Sequence, residues 1–75
     1  MKNNYQEIQV IFGTNLKKLR EARGISLREL ESKCDLDNSK ISKIENGKFN
    51  IQLSTILELA KGLGVKPKDL LDFDM

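Results

Sequence analysis

From Ile8 to Phe73 the apolar residues of this 75-residue chain recur at steps of three and four, and nowhere alternate with polar ones over the length of a strand. A period near 3.6 suits an amphipathic helix and not a half-buried strand. The chain is therefore expected to be all-α, a single domain over residues 1–75 built from five helices. A core drawn from so few residues is small, so each buried contact carries a large share of the stability.

Local signals mark where the helices start and stop. The first is expected from about Asn4 to Arg23, with Ile8, Phe12, Leu16 and Leu19 on one stripe and Gly24 as the terminal cap. Gly13 inside it costs about 1 kcal/mol of helix propensity, which points to the close approach of another helix. Ser26-Leu27-Arg28-Glu29 reads as a capping box, flanked by Ile25 and Leu30 as a hydrophobic staple. That helix should end near Cys34, at the turn Asp35-Leu36-Asp37. Asp37 is a good N-cap for a third helix from Asn38 to about Asn46, stopped by Asn46-Gly47. Only Ile41 and Ile44 are apolar within it, so its outer face has nothing to bury. A fourth helix is expected over Leu53 to Leu63, with Leu53, Ile56, Leu57, Ala60 and Leu63 inward and Gly62 and Gly64 ending it. A short fifth helix follows, with Pro67 at its first position and Asp69 at its positive end.

Composition excludes several functions. Cys34 stands alone, which rules out an internal disulfide. The absence of histidine argues against a zinc site and removes Ser-His and Cys-His catalytic pairs. So short a chain has little room for a closed substrate pocket, and no enzymatic activity, cofactor or metal is expected. No apolar run approaches the roughly 20 residues of a membrane span. Met1 to Tyr5 lacks the features of a signal peptide, so the expected location is the cytoplasm, with no membrane partner. The net charge of +2 is unevenly spread. Residues 1–48 hold ten Lys/Arg against seven Asp/Glu, and residues 49–75 hold three against four.

The stretch Ile25 to Lys48, ISLRELESKCDLDNSKISKIENGK, resembles the helix-turn-helix of the phage lambda and 434 repressor/Cro family, also called the XRE family. Two helices joined by a short turn and followed by Ile-x-x-Ile-Glu-Asn-Gly-Lys carry the likeness. The flanks Asn15-Leu16-Lys17-Lys18-Leu19-Arg20 and Leu59-Ala60-Lys61-Gly62-Leu63-Gly64-Val65 extend it over roughly residues 8 to 72. The resemblance implies a compact five-helix, lambda-repressor-like domain, with the helix-turn-helix at about 26–46. Its recognition helix, about 38–46, would enter the major groove of double-stranded DNA. By position, Asn38, Ser39 and Lys43 are then the base-reading residues, and Lys40 and Ser42 reach base or phosphate. Side-chain chemistry agrees: Asn pairs with adenine, Lys donates to guanine, and Ser is permissive. Ser26, Arg28, Asn46, Lys48 and Asn50 fall where the family touches phosphate, the first at a helix end with free amides. Arg20 and Glu45 occupy positions that form an ion pair in the family.

Three positions depart from the pattern. Leu27 stands where the family very often has a DNA-contacting Gln, which removes that contact and leaves Arg28 beside it. Glu31 replaces a small residue where two helices pack, and its carboxylate is expected to tilt outward or pair with Lys40. Asp35 replaces the turn glycine.

The resemblance implies a transcriptional regulator, a repressor binding a palindromic operator as a homodimer and similar to the short controller proteins of restriction–modification systems. The alternatives are an antitoxin, which would use the same fold and also bind a toxin protein, and a protein-interaction module without DNA binding. Leu70, Leu71 and Phe73 crowd one short helix and cannot all point inward. They are the expected dimer surface, with Val10, Ile11 and Tyr5 of the first helix as second choice.

Overall fold

The computed structural model describes residues 5–74, which form five helices: α1 Gln6–Ala22, α2 Leu27–Lys33, α3 Asn38–Glu45, α4 Leu53–Leu63 and α5 Pro67–Leu70. The expected start of the first helix at Asn4 lies outside the described residues. Helix α1 packs on α3 and α5, α2 on α3 and α4, and α4 on α5. One core joins Phe12, Leu16, Leu30, Ile41, Ile44, Leu59, Ala60, Leu63 and Leu70. The side chain of Asn15 ties α1 to α5, donating to the carbonyls of Asp69 (3.1 Å) and Leu70 (3.0 Å).

The helix ends follow local chemistry. Ser26 Oγ accepts from the Glu29 N–H and Glu29 Oε1 accepts from the Ser26 N–H, both at 3.1 Å, which closes the capping box that starts α2. Asp37 Oδ1 accepts from the Lys40 N–H at 2.7 Å and starts α3. Gly24, Gly47 and Gly64 follow α1, α3 and α4 in the left-handed conformation.

Gly13 is where α1 meets α3 backbone to backbone. A Cβ built there would lie 2.6 Å from the Glu45 carbonyl oxygen and closer still to that of Ile44. Neither atom belongs to a side chain that can swing away. Gly13→Ala should therefore lower stability by about 1–3 kcal/mol through overpacking, against a helix-propensity gain of about 1 kcal/mol. Thermal unfolding checks this, and a variant melting at or above the wild-type temperature contradicts it.

Helix α4 is rotated from the expected orientation. Leu53 and Leu57 are 72% and 50% exposed, whereas Thr55, Leu59, Ala60 and Leu63 face the core. Gly62 does not end α4 but lies inside it, against α2. A Cβ there would be 2.7 Å from Leu30 Cδ1 and 3.2 Å from Cys34 Cβ. The absence of that side chain lets α2 settle on the Leu59–Gly62–Leu63 face and turns Leu53 and Leu57 outward. Leu70 is also corrected: placed by the sequence at the dimer surface, it is fully buried in the core.

Cys34 is half-buried beside Gly62, and its thiol donates to the Leu30 carbonyl at 3.2 Å. Burial pushes this thiol above the ordinary cysteine range. Among the described residues no helix is long and apolar enough to cross a membrane.

Candidate nucleic-acid interface

Helix α3 is anchored by two buried residues and a salt bridge, and turns Ser39, Lys40 and Lys43 to solvent. Ile41 and Ile44 are buried. Glu45, on the same side, meets Arg20 of α1, with Oε2 2.6 Å from Nε and Oε1 3.1 Å from Nη2. Arg20 also donates from Nη1 to the Ile25 carbonyl at 2.8 Å, so one guanidinium joins α1, the start of the helix-turn-helix and the end of α3. The hydrogen bond to Glu45 holds the guanidinium above the ordinary arginine value. Both side chains are nearly inaccessible, at 11% and 5% exposure.

At 3.6 residues per turn, a core side defined by Ile41, Ile44 and Glu45 leaves Ser39 and Lys43 pointing directly away from the body. Both are exposed, and half-buried Ser42 lies beside them. The side chains of Ser39, Lys40 and Lys43 have no bonding partner among the described residues. Asn38 and Lys40 flank this ridge. Lys40 borders a shallow depression with Phe49, Asn50, Ile51, Gln52 and Thr55, on the side of the loop that follows α3. Lys48 and Asn50 are exposed in that loop, and Asn46 is exposed at the end of α3, its Nδ2 donating to the Ser42 carbonyl at 2.8 Å. Ser26 and Arg28 are exposed at the start of α2. The capping box occupies the amides of Ser26 and Glu29. The free donors at this end are therefore the N–H groups of Leu27 and Arg28, which have no intrahelical acceptor. Leu27 itself is half-buried against the core, which accounts for an apolar residue at a position where the repressor pattern has a DNA-facing Gln.

Glu31 neither tilts outward nor reaches Lys40. It is half-buried, and its carboxylate accepts from the backbone N–H of Asn38 at 3.1 Å and from Asn38 Nδ2 at 3.0 Å. Lys40 lies beyond reach because it projects from the opposite flank of α3. A residue taken from sequence as a packing irregularity thus holds one of the candidate reading residues. The only sequence signal was its spacing, a carboxylate seven positions ahead of the first residue of α3.

The turn between α2 and α3 needs no glycine, since no non-glycine residue among those described has positive φ. The Asp35 N–H donates to Glu58 Oε1 of α4 at 2.8 Å, and Lys61 lies 3.4 Å from the same oxygen. The bond from Asp35 holds the Glu58 carboxyl below the ordinary range.

A second set of exposed residues is apolar. Leu53 and Leu57 of α4 are exposed, as are Phe49 and Leu71, the last at 54%. Ile56, one turn from Leu53 and beside Leu57, lines a shallow apolar depression with Phe49, Leu71 and Phe73. Phe73 is partly covered, its ring edge-on to Phe12 with centroids 6.4 Å apart.

Residues 16–70 match a family model described as helix-turn-helix. The control protein C.BamHI of Bacillus amyloliquefaciens is 42% identical over 74 residues, covering 97% of this chain and 88% of that one. The crystal structure of the restriction-modification controller protein C.AhdI of Aeromonas hydrophila superposes with a TM-score of 0.87 at 35% identity, over 91% of this chain and 99% of that one. The fold is shared with a third controller protein, C.Esp1396I, in its tetramer complex with a natural 35-base-pair operator. The TM-score there is 0.75 at 24% identity, over 93% of this chain and 100% of that one.

Proposed function

The chain belongs to the helix-turn-helix family of DNA-binding transcription regulators, and from that premise we propose that it binds a palindromic operator as a homodimer and represses transcription, in the manner of a restriction–modification controller. The observation that carries the reading is the outer ridge of α3, where Ser39 and Lys43 stand exposed and without an internal partner while Ile41, Ile44 and Glu45 fix the helix from behind. Such a helix suits the major groove, which is wide enough to admit it. Asn38, Ser39 and Lys43 read base edges. Lys40 and Ser42, on either side, reach base or phosphate. Ser26, Arg28, Asn46, Lys48 and Asn50 grip the backbone on both sides of the groove. A regulator of this kind works in the cytoplasm. The likeness to a control protein over nearly the whole chain favours this reading over an antitoxin that also binds a toxin protein.

Selection of bound duplexes from a random pool tests the proposal. The expected result is an enriched palindrome whose half-site centres lie about one helical turn, roughly 34 Å, apart. Enrichment of no sequence, with no salt-sensitive affinity for duplex DNA, overturns it in favour of a protein-interaction module.

The reading and gripping residues should separate in the same assay. Lys43→Ala is expected to cost about 1–3 kcal/mol at the cognate site and to relax preference at one base pair per half-site. Lys48→Ala should weaken all sequences alike and reduce the slope of log affinity against log salt by about 1. Identical behaviour of the two variants on cognate and random duplexes contradicts the assignment.

A further inference from the structure

Asn38 is not free to present its amide as it pleases. The carboxylate of Glu31 reaches from α2 across the turn and accepts two N–H groups of this one residue, the backbone N–H at 3.1 Å and Nδ2 at 3.0 Å. A carboxylate has no hydrogen to give, so only the amide nitrogen of Asn38 can face it and the amide oxygen must turn away. Both residues are half-buried, which partly shields the contact from water. We propose that Glu31 is a positioning residue for base recognition, fixing the Asn38 amide in the one orientation that presents its oxygen and its remaining N–H outward in a set order.

That order matters because adenine offers N6–H as donor and N7 as acceptor side by side in the major groove, and asparagine reads them as a bidentate pair. An unrestrained asparagine exchanges the places of oxygen and nitrogen by a half-turn about its terminal torsion, which is broad and roughly two-fold. With Glu31 in place, one orientation meets a carboxylate with an N–H and the other meets it with a second oxygen, so the second is excluded. The bond to the backbone N–H fixes the carboxylate itself and occupies an amide at the positive end of α3. Asn38 therefore arrives at DNA already ordered, and the cost of freezing its side chain is met in the free protein. A small residue in place of Glu31 leaves that amide free. Glutamine does not substitute fully: it has one oxygen for two N–H groups, and its own amide nitrogen faces the other donor.

The inference rests on reading α3 as the helix that enters the major groove, and its test separates the two. Duplexes are selected from a random pool with the wild type, Glu31→Ala, Glu31→Gln, Asn38→Ala and the double variant Glu31→Ala/Asn38→Ala, each first shown by circular dichroism to be folded. Asn38→Ala should flatten preference at one base pair per half-site. Glu31→Ala and Glu31→Gln should flatten that same base pair, by about tenfold, and leave the base pair read by Lys43 unchanged. The double variant should be no flatter there than Asn38→Ala alone. Glu31→Gln should also bind random duplexes more tightly, having lost a negative charge near the phosphates. A Glu31→Gln variant that keeps the full preference overturns the proposal, as does a Glu31→Ala variant that weakens every position equally. A wild type that enriches no sequence overturns the DNA reading and this inference with it.

Discussion

Arg20→Ala is expected to destabilise the protein by about 3–5 kcal/mol, more than any other single truncation of a polar residue in it. The reason is geometric. Arg20 meets Glu45 through two N–H groups and caps the Ile25 carbonyl with a third, and the Glu45 carboxylate, only 5% exposed in the intact pair, would lose its partner. Stability for a domain of this size is typically about 0.05–0.15 kcal/mol per residue, so the loss is a large share of the whole. Melting should fall by tens of degrees, at about 4–8 °C per kcal/mol. Glu45→Ala should cost somewhat less, because Arg20 keeps its bond to Ile25 and its long side chain can reach water. The double variant Arg20→Ala/Glu45→Ala should cost clearly less than the sum of the two single losses, since removing both charges leaves none uncompensated. Urea unfolding of the four proteins gives the coupling energy, and a value near zero reduces the pair to ordinary surface charges. Because the pair fixes α3 against α1, the single variants should also lose cognate DNA binding at temperatures where they remain folded.

The parts of this fold that were legible in the sequence are those written in neighbouring residues. The capping box at Ser26 and Glu29, the N-cap Asp37 and the left-handed glycines are each decided within three or four positions, so the bounds of α2, α3 and α4 came out to within a residue. Ile41 and Ile44 could be assigned to the core because α3 has no other apolar residue. What escaped is set by contacts between elements. Helix α4 is apolar on more than one side, and its rotation depends on α2 fitting over Gly62, which no periodicity count contains. Leu70 was assigned to the surface with its neighbours because the closing turns of α5 are too short to show a period. Glu31, expected to tilt outward or pair with Lys40, differs for a related reason: the direction in which α3 leaves the turn decides whether Asn38 or Lys40 faces it. In each case the local signal was sound and the missing information was the relative placement of two helices.

Leu57→Glu is expected to convert the protein to a monomer and to lower its affinity for a palindromic site by about 10²-fold or more, while leaving its fold intact. Leu53 and Leu57 project into solvent from α4, and their helix neighbour Ile56 lines an apolar depression with Phe49, Leu71 and Phe73. Exposed apolar side chains on one helix, beside an apolar depression, fit an association surface. A second copy of the chain suits it, because a two-fold axis brings the patch against itself without requiring a complementary surface elsewhere. The patch extends the surface expected from Leu71 and Phe73 onto α4 and loses Leu70 to the core. One domain makes too few base contacts for high specificity at physiological salt, so on the proposed reading the affinity arises from joining two half-site readers. Once one reader is bound, the other acts at an effective concentration in the millimolar range, a gain of about 10²–10⁴ that disappears with the dimer. A glutamate at position 57 would be buried without a partner in the interface and costs nothing in the exposed monomer. Sedimentation at micromolar concentration should therefore show half the wild-type mass, with an unchanged melting temperature at concentrations where both proteins are monomeric. Binding to a single half-site should equal that of the wild type. A Leu57→Glu protein that still sediments as a dimer, or that binds the full palindrome as tightly as the wild type, removes α4 from the assembly.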